Sequence, residues 1–121
     1  MKSILLVEDD PFLIDIYTTK LKEAGFSVEV ATDGGEGFKK LKEQLPNLLI
    51  LDIVLPYIDG WEVLKKIKSD GKLKNLKVVI LSNLGQKGEV EKGLKLGATK
   101  YLIKAHYTPT QVVEEIKKVL K

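Results

Sequence analysis

Three unbroken apolar runs, Ile4-Leu5-Leu6-Val7, Leu48-Leu49-Ile50-Leu51 and Val78-Val79-Ile80-Leu81, each end abruptly on a polar residue. A strand with no polar face must be covered on both sides, which is the situation of a parallel sheet between helical layers. Between the runs the period changes from strand to helix. Asp10 can cap a first helix with Pro11 in its first turn; Phe12, Leu13, Ile16, Tyr17, Leu21 and Ala24 mark its apolar face, and Gly25 ends it. Strand-like Val28 and Val30 follow, and Asp33 caps a second helix carrying Phe38 and Leu41, which stops before Pro46. After the second run come a loop with Pro56 and Asp59-Gly60 and a helix bearing Trp61, Val63, Leu64 and Ile67. After the third run a helix spotted with Gly88 and Gly93 carries Val90, Leu94 and Leu96, and Gly97 closes it. Tyr101 to Ile103 reads as a fifth strand, and Thr108-Pro109 opens a last helix with Val112, Val113, Ile116, Val119 and Leu120 on its core side. Five strands alternating with five helices predict an α/β fold: a doubly wound, five-stranded parallel sheet with right-handed crossovers and helices on both faces.

At 121 residues the chain is expected to be one domain, residues 1–121. The 44% hydrophobic and 31% charged composition suits a chain with a buried core. Cysteine is absent, which excludes disulfides, thiolate metal sites and thiol nucleophiles, and a single histidine argues against an imidazole metal site. All 20 basic residues are lysine, so the bidentate guanidinium contacts that favour base and phosphate recognition are missing and no direct nucleic-acid binding is expected. The first apolar run meets Glu8, Asp9 and Asp10 at once, too soon for a signal peptide or a membrane span, so a cytoplasmic location is expected.

In open α/β sheets ligands bind beyond the carboxyl ends of the strands. There the sequence places Glu8 and Asp9 after the first strand, Asp52 after the third, Ser82 after the fourth and Lys104 after the fifth. Carboxylates sharing one crevice repel unless a cation neutralises them, and a hard divalent ion such as Mg²⁺ fits oxygen donors. A lysine and a hydroxyl beside them can donate to the oxygens of a transferring phosphoryl group. Asp52, at the middle of the crevice, is the best candidate for nucleophile.

Four blocks in order, Ile4-Leu5-Leu6-Val7-Glu8-Asp9-Asp10, Leu51-Asp52-Ile53-Val54-Leu55-Pro56-Tyr57-Ile58-Asp59-Gly60, Val79-Ile80-Leu81-Ser82 and Tyr101-Leu102-Ile103-Lys104, resemble the response-regulator receiver domain of two-component signalling, of the chemotaxis-regulator kind. The likeness covers the whole chain. It implies a flavodoxin-like sheet of strand order 2-1-3-4-5 and a switch in which Asp52 accepts a phosphoryl group from a histidine kinase or a phosphotransfer protein. It further implies Mg²⁺, with Mn²⁺ able to substitute, held directly by Asp9 and Asp52, by the backbone carbonyl of Val54, and by Glu8 through water. Ser82 and Lys104 would contact the phosphoryl oxygens, and Tyr101, with Ser82, would serve as the switch. Output is expected through protein contacts of the fourth helix, fifth strand and fifth helix. Self-phosphorylation from small donors and slow self-dephosphorylation would accompany this role, without turnover of a substrate.

Two positions depart from the family pattern. Ala105 follows Lys104 where proline in a cis peptide is usual, so a trans bond is expected, because a cis bond before any other residue costs about 2.5–4 kcal/mol. Asn83 stands after Ser82 where alanine or glycine is usual and is expected to narrow access to Asp52. The resemblance also implies that Val54 and Leu84, two residues after Asp52 and Ser82, flank the approach of a hydrolytic water; neither can orient or deprotonate it, so a long-lived phosphoryl form is expected.

Other readings compete. An aspartyl-phosphate hydrolase would want a second acid two residues after Asp52, where Val54 stands. A flavin or dinucleotide binder needs a glycine-rich loop after the first strand, and this one is acidic. A receiver-like interaction module that works without phosphorylation requires none of the site chemistry. Residue by residue, Asp10 is explained by capping, Trp61 by packing of the third helix, His106 as a solvated loop residue, and Lys117, Lys118 and Lys121 by the dipole of the last helix.

Overall fold

The computed structural model describes all residues 1–121. The strands are β1 (Ser3–Val7), β2 (Ser27–Ala31), β3 (Leu48–Leu51), β4 (Lys77–Ser82) and β5 (Lys100–Ile103). The helices are α1 (Pro11–Glu23), α2 (Gly34–Glu43), α3 (Gly60–Ser69), α4 (Lys87–Lys95) and α5 (Pro109–Val119), and a short 3-10 turn, Lys104–His106, links β5 to α5. All strands run parallel, as the alternation of strands and helices predicts, in the order β2-β1-β3-β4-β5 that the resemblance implies. The three apolar runs form the three inner strands and are buried throughout, only the first residues of β1 and β4, Ser3 and Lys77, lying nearer water, whereas the edge strands β2 and β5 are only partly covered.

Alternate residues of each inner strand feed two cores. Leu5, Val7, Leu49, Leu51, Val78 and Ile80 pack with Leu41 of α2 and Val63, Leu64 and Ile67 of α3. Ile4, Leu6, Leu48, Ile50, Val79 and Leu81 pack on the other face with Tyr17 and Leu21 of α1 and Val112, Val113 and Ile116 of α5. Each such side chain contributes roughly 1.5–3 kcal/mol by leaving water. The predicted helix starts form, with Asp10 accepting from the amides of Phe12 and Leu13, Asp33 from Glu36 and Thr108 from Gln111, and Asp59, read in the sequence only as part of a loop, also caps α3 by accepting from Glu62.

Two apolar residues assigned to core faces are not there. Phe12 is 71% exposed and Leu94 is 47% exposed. The buried stripe of α1 follows Leu13, Tyr17 and Leu21, and Phe12 lies about 100° round the helix from Leu13, in the first turn. Gly93 rather than Leu94 is the buried residue of α4, because that helix comes close to the sheet only where it has no side chain.

Candidate functional site

Register brings the acidic residues together. Val7 pairs with Leu51, and the ladder continues past the strand ends, with Asp52 N donating to Val7 O at 3.1 Å and Glu8 N donating to Ala31 O at 3.0 Å. Glu8 and Asp52 therefore emerge side by side from adjacent central strands while their backbones are still held by the sheet. Carboxylate oxygens of Glu8, Asp9 and Asp52 lie within 4.8 Å of one another. Glu8 and Asp52 are buried and Asp9 is exposed.

Lys104 reaches this cluster from the end of β5. Its Nζ donates to Glu8 Oε1 and to Asp52 Oδ2, each at 2.7 Å. The other oxygens of those carboxylates are also used: Asp52 Oδ1 accepts from Val54 N at 3.2 Å, and Glu8 Oε2 accepts from the amides of Asp9 and Asp10, both at 3.1 Å. Desolvation raises the pKa of Glu8, with the Asp52 charge adding to it, against the lowering by hydrogen bonds from Lys104 and the Asp10 amide. Burial pulls Lys104 down, but its hydrogen bonds to Asp52 and Glu8 and their charges outweigh that, so the ammonium lies above its ordinary value. Asp9 pairs with no ammonium, which leaves one corner of the cluster without a compensating cation.

A cleft of about 330 Å³ opens over the cluster, with Leu13, Val54 and Asn83 on its walls beside the charged residues. Asp52 lies at its base with 5% of its surface exposed. Asn83 and Val54 are exposed at the rim, where the sequence places them. Leu84 is not a wall of this cleft, contrary to expectation: it is half-buried against the α2–α3 core. Its amide donates to Ser82 Oγ at 3.3 Å, so the chain turns back on Ser82 after Asn83 and carries the Leu84 side chain inward.

Ser82 ends β4 fully buried. It does not cap α4, which begins at Lys87; there Glu89 reaches back to the Gln86 amide at 3.0 Å. The Tyr101 hydroxyl donates to the carbonyl of Leu84, and its ring lies over Gly93. Burial, with the Glu89 and Asp52 charges adding to it, pushes the phenol up to about 12, against a lowering by the Ser82 hydroxyl. Trp61 packs against the α2–α3 core, and the Lys92 ammonium of α4 sits 4.4 Å from its ring centre. The Lys104–Ala105 bond is trans, and a 3-10 turn follows it at once.

One positioning residue escaped the sequence reading. A Cβ on Gly60 would stand 2.3 Å from the carbonyl oxygen of Asp52 and 2.6 Å from Ile53 Cα. The start of α3 thus backs directly onto the loop that follows Asp52, with Gly60 N donating to Ile53 O at 2.8 Å. Its signal was the Asp59-Gly60 pair, which sequence alone reads as part of a loop.

The profile of the response regulator receiver domain matches residues 4–117. The chain belongs to the response-regulator receiver family. This receiver is 34% identical over 122 residues to the alkaline phosphatase synthesis transcriptional regulatory protein PhoP of Bacillus subtilis, covering 99% of this chain and 49% of that protein. It is 35% identical over 104 residues to the DNA-binding dual master transcriptional regulator RpaA of Synechocystis, covering 86% of this chain and 43% of that one. The receiver thus spans about half the length of these curated relatives. Among solved structures, a CheY-like receiver domain protein from Methanospirillum hungatei superposes with a TM-score of 0.90 at 31% identity, covering 99% of this chain and 94% of that one. The Mn²⁺-bound form of the response regulator Rcp1 superposes with a TM-score of 0.88 at 30% identity over the same shares. As a receiver domain, the chain is a phosphorylation-dependent switch of two-component signalling, a phosphoacceptor rather than a turnover enzyme. No helix is long and apolar enough to cross a membrane.

Proposed function

We propose that Asp52 is the phosphoacceptor, taking its phosphoryl group from a phosphohistidine on a histidine kinase or a phosphotransfer protein. The observation that carries this is a carboxylate at the base of a cleft, 2.7 Å from an ammonium and grouped with two further carboxylates within 4.8 Å. An Asp52 oxygen attacks phosphorus, the P–N bond to the donor imidazole breaks, and its electron pair stays on the ring nitrogen. The imidazole leaves neutral when its other nitrogen carries a proton. Lys104 passes its Asp52 hydrogen bond to a phosphoryl oxygen, and the Ser82 hydroxyl donates to another, so donors are in place where charge gathers.

The donor set consists of hard oxygens with Asp9 free of any ammonium, which fits Mg²⁺ or Mn²⁺. Asp9, Asp52 and the Val54 carbonyl would hold the ion, with Glu8 acting through water. When bound it offsets the repulsion between these carboxylates and the incoming phosphate. Ser82 and Tyr101 then form the switch: a change of bonding at Ser82 is passed to Tyr101, whose hydroxyl holds the β4–α4 loop at Leu84. The altered surface of α4, β5 and α5 is read by a protein partner, in the cytoplasm.

Incubation with acetyl phosphate and Mg²⁺, followed by intact mass measurement, tests the reading. The native chain should gain the mass of one phosphoryl group, and neither Asp52→Asn nor the native chain in excess chelator should gain it. Labelling of Asp52→Asn would place the acceptor elsewhere. A native chain that stays unlabelled would favour a module that works without phosphorylation.

A further inference from the structure

Tyr57 is the only residue other than glycine with positive φ, at 68°, and it is 94% exposed. It follows Pro56 in the loop between Asp52 and the Asp59 cap of α3, at a bend where Ile58 N donates to Pro56 O at 2.8 Å. Side chains are disfavoured in the left-handed region, which glycine and asparagine enter readily. The ring gives the fold almost no packing in return, since nearly all of it is in water. Folding alone therefore favours glycine or asparagine here. A strained, unpacked aromatic beside a reactive group points to a contact made outside the chain.

The position of Asp52 identifies the contact. Its carboxylate is 5% exposed at the base of the cleft, so a donor histidine must enter, and the protein surface that carries it must rest on the rim. The cleft itself is lined mostly by charged residues, and exposed apolar side chains adjoin it. Of the six large hydrophobic residues that are exposed in the whole chain, three stand close in sequence to the acidic cluster: Val54 and Tyr57 in the loop after Asp52, and Phe12 in the first turn of α1, three residues after Asp9. Val54 walls the cleft itself, and Tyr57 stands three residues further along the same loop.

We infer that Tyr57 is a specificity-determining contact for the protein phosphodonor, its ring docking on an apolar surface next to the phosphohistidine. This rests on the reading of Asp52 as acceptor. A small donor such as acetyl phosphate has no such surface and does not use the ring.

The test compares the native chain with Tyr57→Gly and Tyr57→Phe. Two kinds of donor are supplied: acetyl phosphate with Mg²⁺, and the set of histidine kinases encoded in the same genome, each autophosphorylated with ATP. With acetyl phosphate all three proteins should label at rates within about twofold of one another. From the kinase that labels the native chain fastest, Tyr57→Gly should accept at least tenfold more slowly and Tyr57→Phe at nearly the native rate. Tyr57→Gly should also have a urea midpoint no lower than the native one. The inference is overturned by equal transfer to native and Tyr57→Gly, by Tyr57→Phe as slow as Tyr57→Gly, or by a Tyr57→Gly midpoint below the native one, which would make the ring structural. Labelling of the native chain by acetyl phosphate but by no kinase would end this inference and leave Asp52 as the acceptor; failure with acetyl phosphate as well would remove the reading on which it rests.

Discussion

The two glycines of α4 look equivalent in sequence, each costing a helix roughly 0.5–1 kcal/mol against alanine. The structure separates them. At Gly88 a Cβ would meet nothing within 4 Å, whereas at Gly93 it would lie 2.7 Å from Tyr101 Cδ2 and 2.8 Å from Ile80 Cδ1. Gly88→Ala should therefore stabilise the protein by about 0.5 kcal/mol, toward the low end because the residue lies in the first turn of the helix. Gly93→Ala gains a similar propensity term but overpacks two buried contacts, an effect of about 1–3 kcal/mol. The net result should be a loss of roughly 1 kcal/mol, lowering the urea midpoint by about 0.5–1 M for a domain of this size. The Tyr101 ring has to move, so its hydroxyl should lose the Leu84 carbonyl and the phenol should fall from about 12 toward the ordinary tyrosine value. Urea unfolding of both variants with ultraviolet titration of the tyrosines measures both effects. If Gly93→Ala proves as stabilising as Gly88→Ala, the close approach of α4 to Tyr101 is wrong.

Asp70 should make stability depend on pH in the acid range: Lys42 donates to it at 2.7 Å and the Lys72 amide at 2.8 Å, holding its carboxyl below the usual carboxylate range. A group depressed in the folded state stabilises above its unfolded value, about 3.9, and that contribution is lost as pH falls through the folded value. The native chain should thus be more stable than Asp70→Asn at pH 6, with the gap closing as pH falls below about 4; a gap that does not change with pH would show that the Lys42 pair contributes nothing. Val54→Asn should shorten the lifetime of the phosphorylated form by roughly one to two powers of ten, since it places a water-orienting amide on the cleft wall. Decay measured in Mg²⁺ after donor removal checks this, and equal lifetimes would show that position 54 does not control hydrolysis.

What the sequence disclosed about this receiver was what depends on local order along the chain. The runs Ile4–Val7, Leu48–Leu51 and Val78–Leu81 reveal inner strands because a strand buried on both faces carries its requirement in consecutive residues. Asp10, Asp33 and Thr108 reveal helix starts because a cap bonds amides two or three residues away. Glu8, Asp9 and Asp52 were legible as one site because a parallel sheet aligns strand ends. The misread residues depend on what stands opposite them in space. Phe12 and Leu94 fit an apolar pattern, yet no sheet residue covers them. Leu84 was placed by its distance from Ser82 along the chain, but a single hydrogen bond back to Ser82 Oγ changes its direction. Gly60 and Gly93 were read as part of a loop and a weak helix position, and each is instead where two elements nearly touch.

The same division shows how the site is assembled. Glu8 and Asp52 directly follow the neighbouring strands β1 and β3, so pairing of those strands alone brings two carboxylates together out of water, an unfavourable step. Their compensating charge comes from Lys104, whose strand lies on the far side of β4 and is 52 residues from Asp52 in sequence. The acidic pair is therefore stable in its buried place only once β5 has docked. With β5 come Tyr101, which holds the Leu84 carbonyl, and the close seat of α4 at Gly93. One short strand thus carries Tyr101 and leads directly into the lysine that neutralises the acidic pair. Under the proposed role of Asp52, phosphorylation that draws Lys104 from Glu8 and Asp52 toward a phosphoryl oxygen would act just past the end of that strand, three residues from Tyr101.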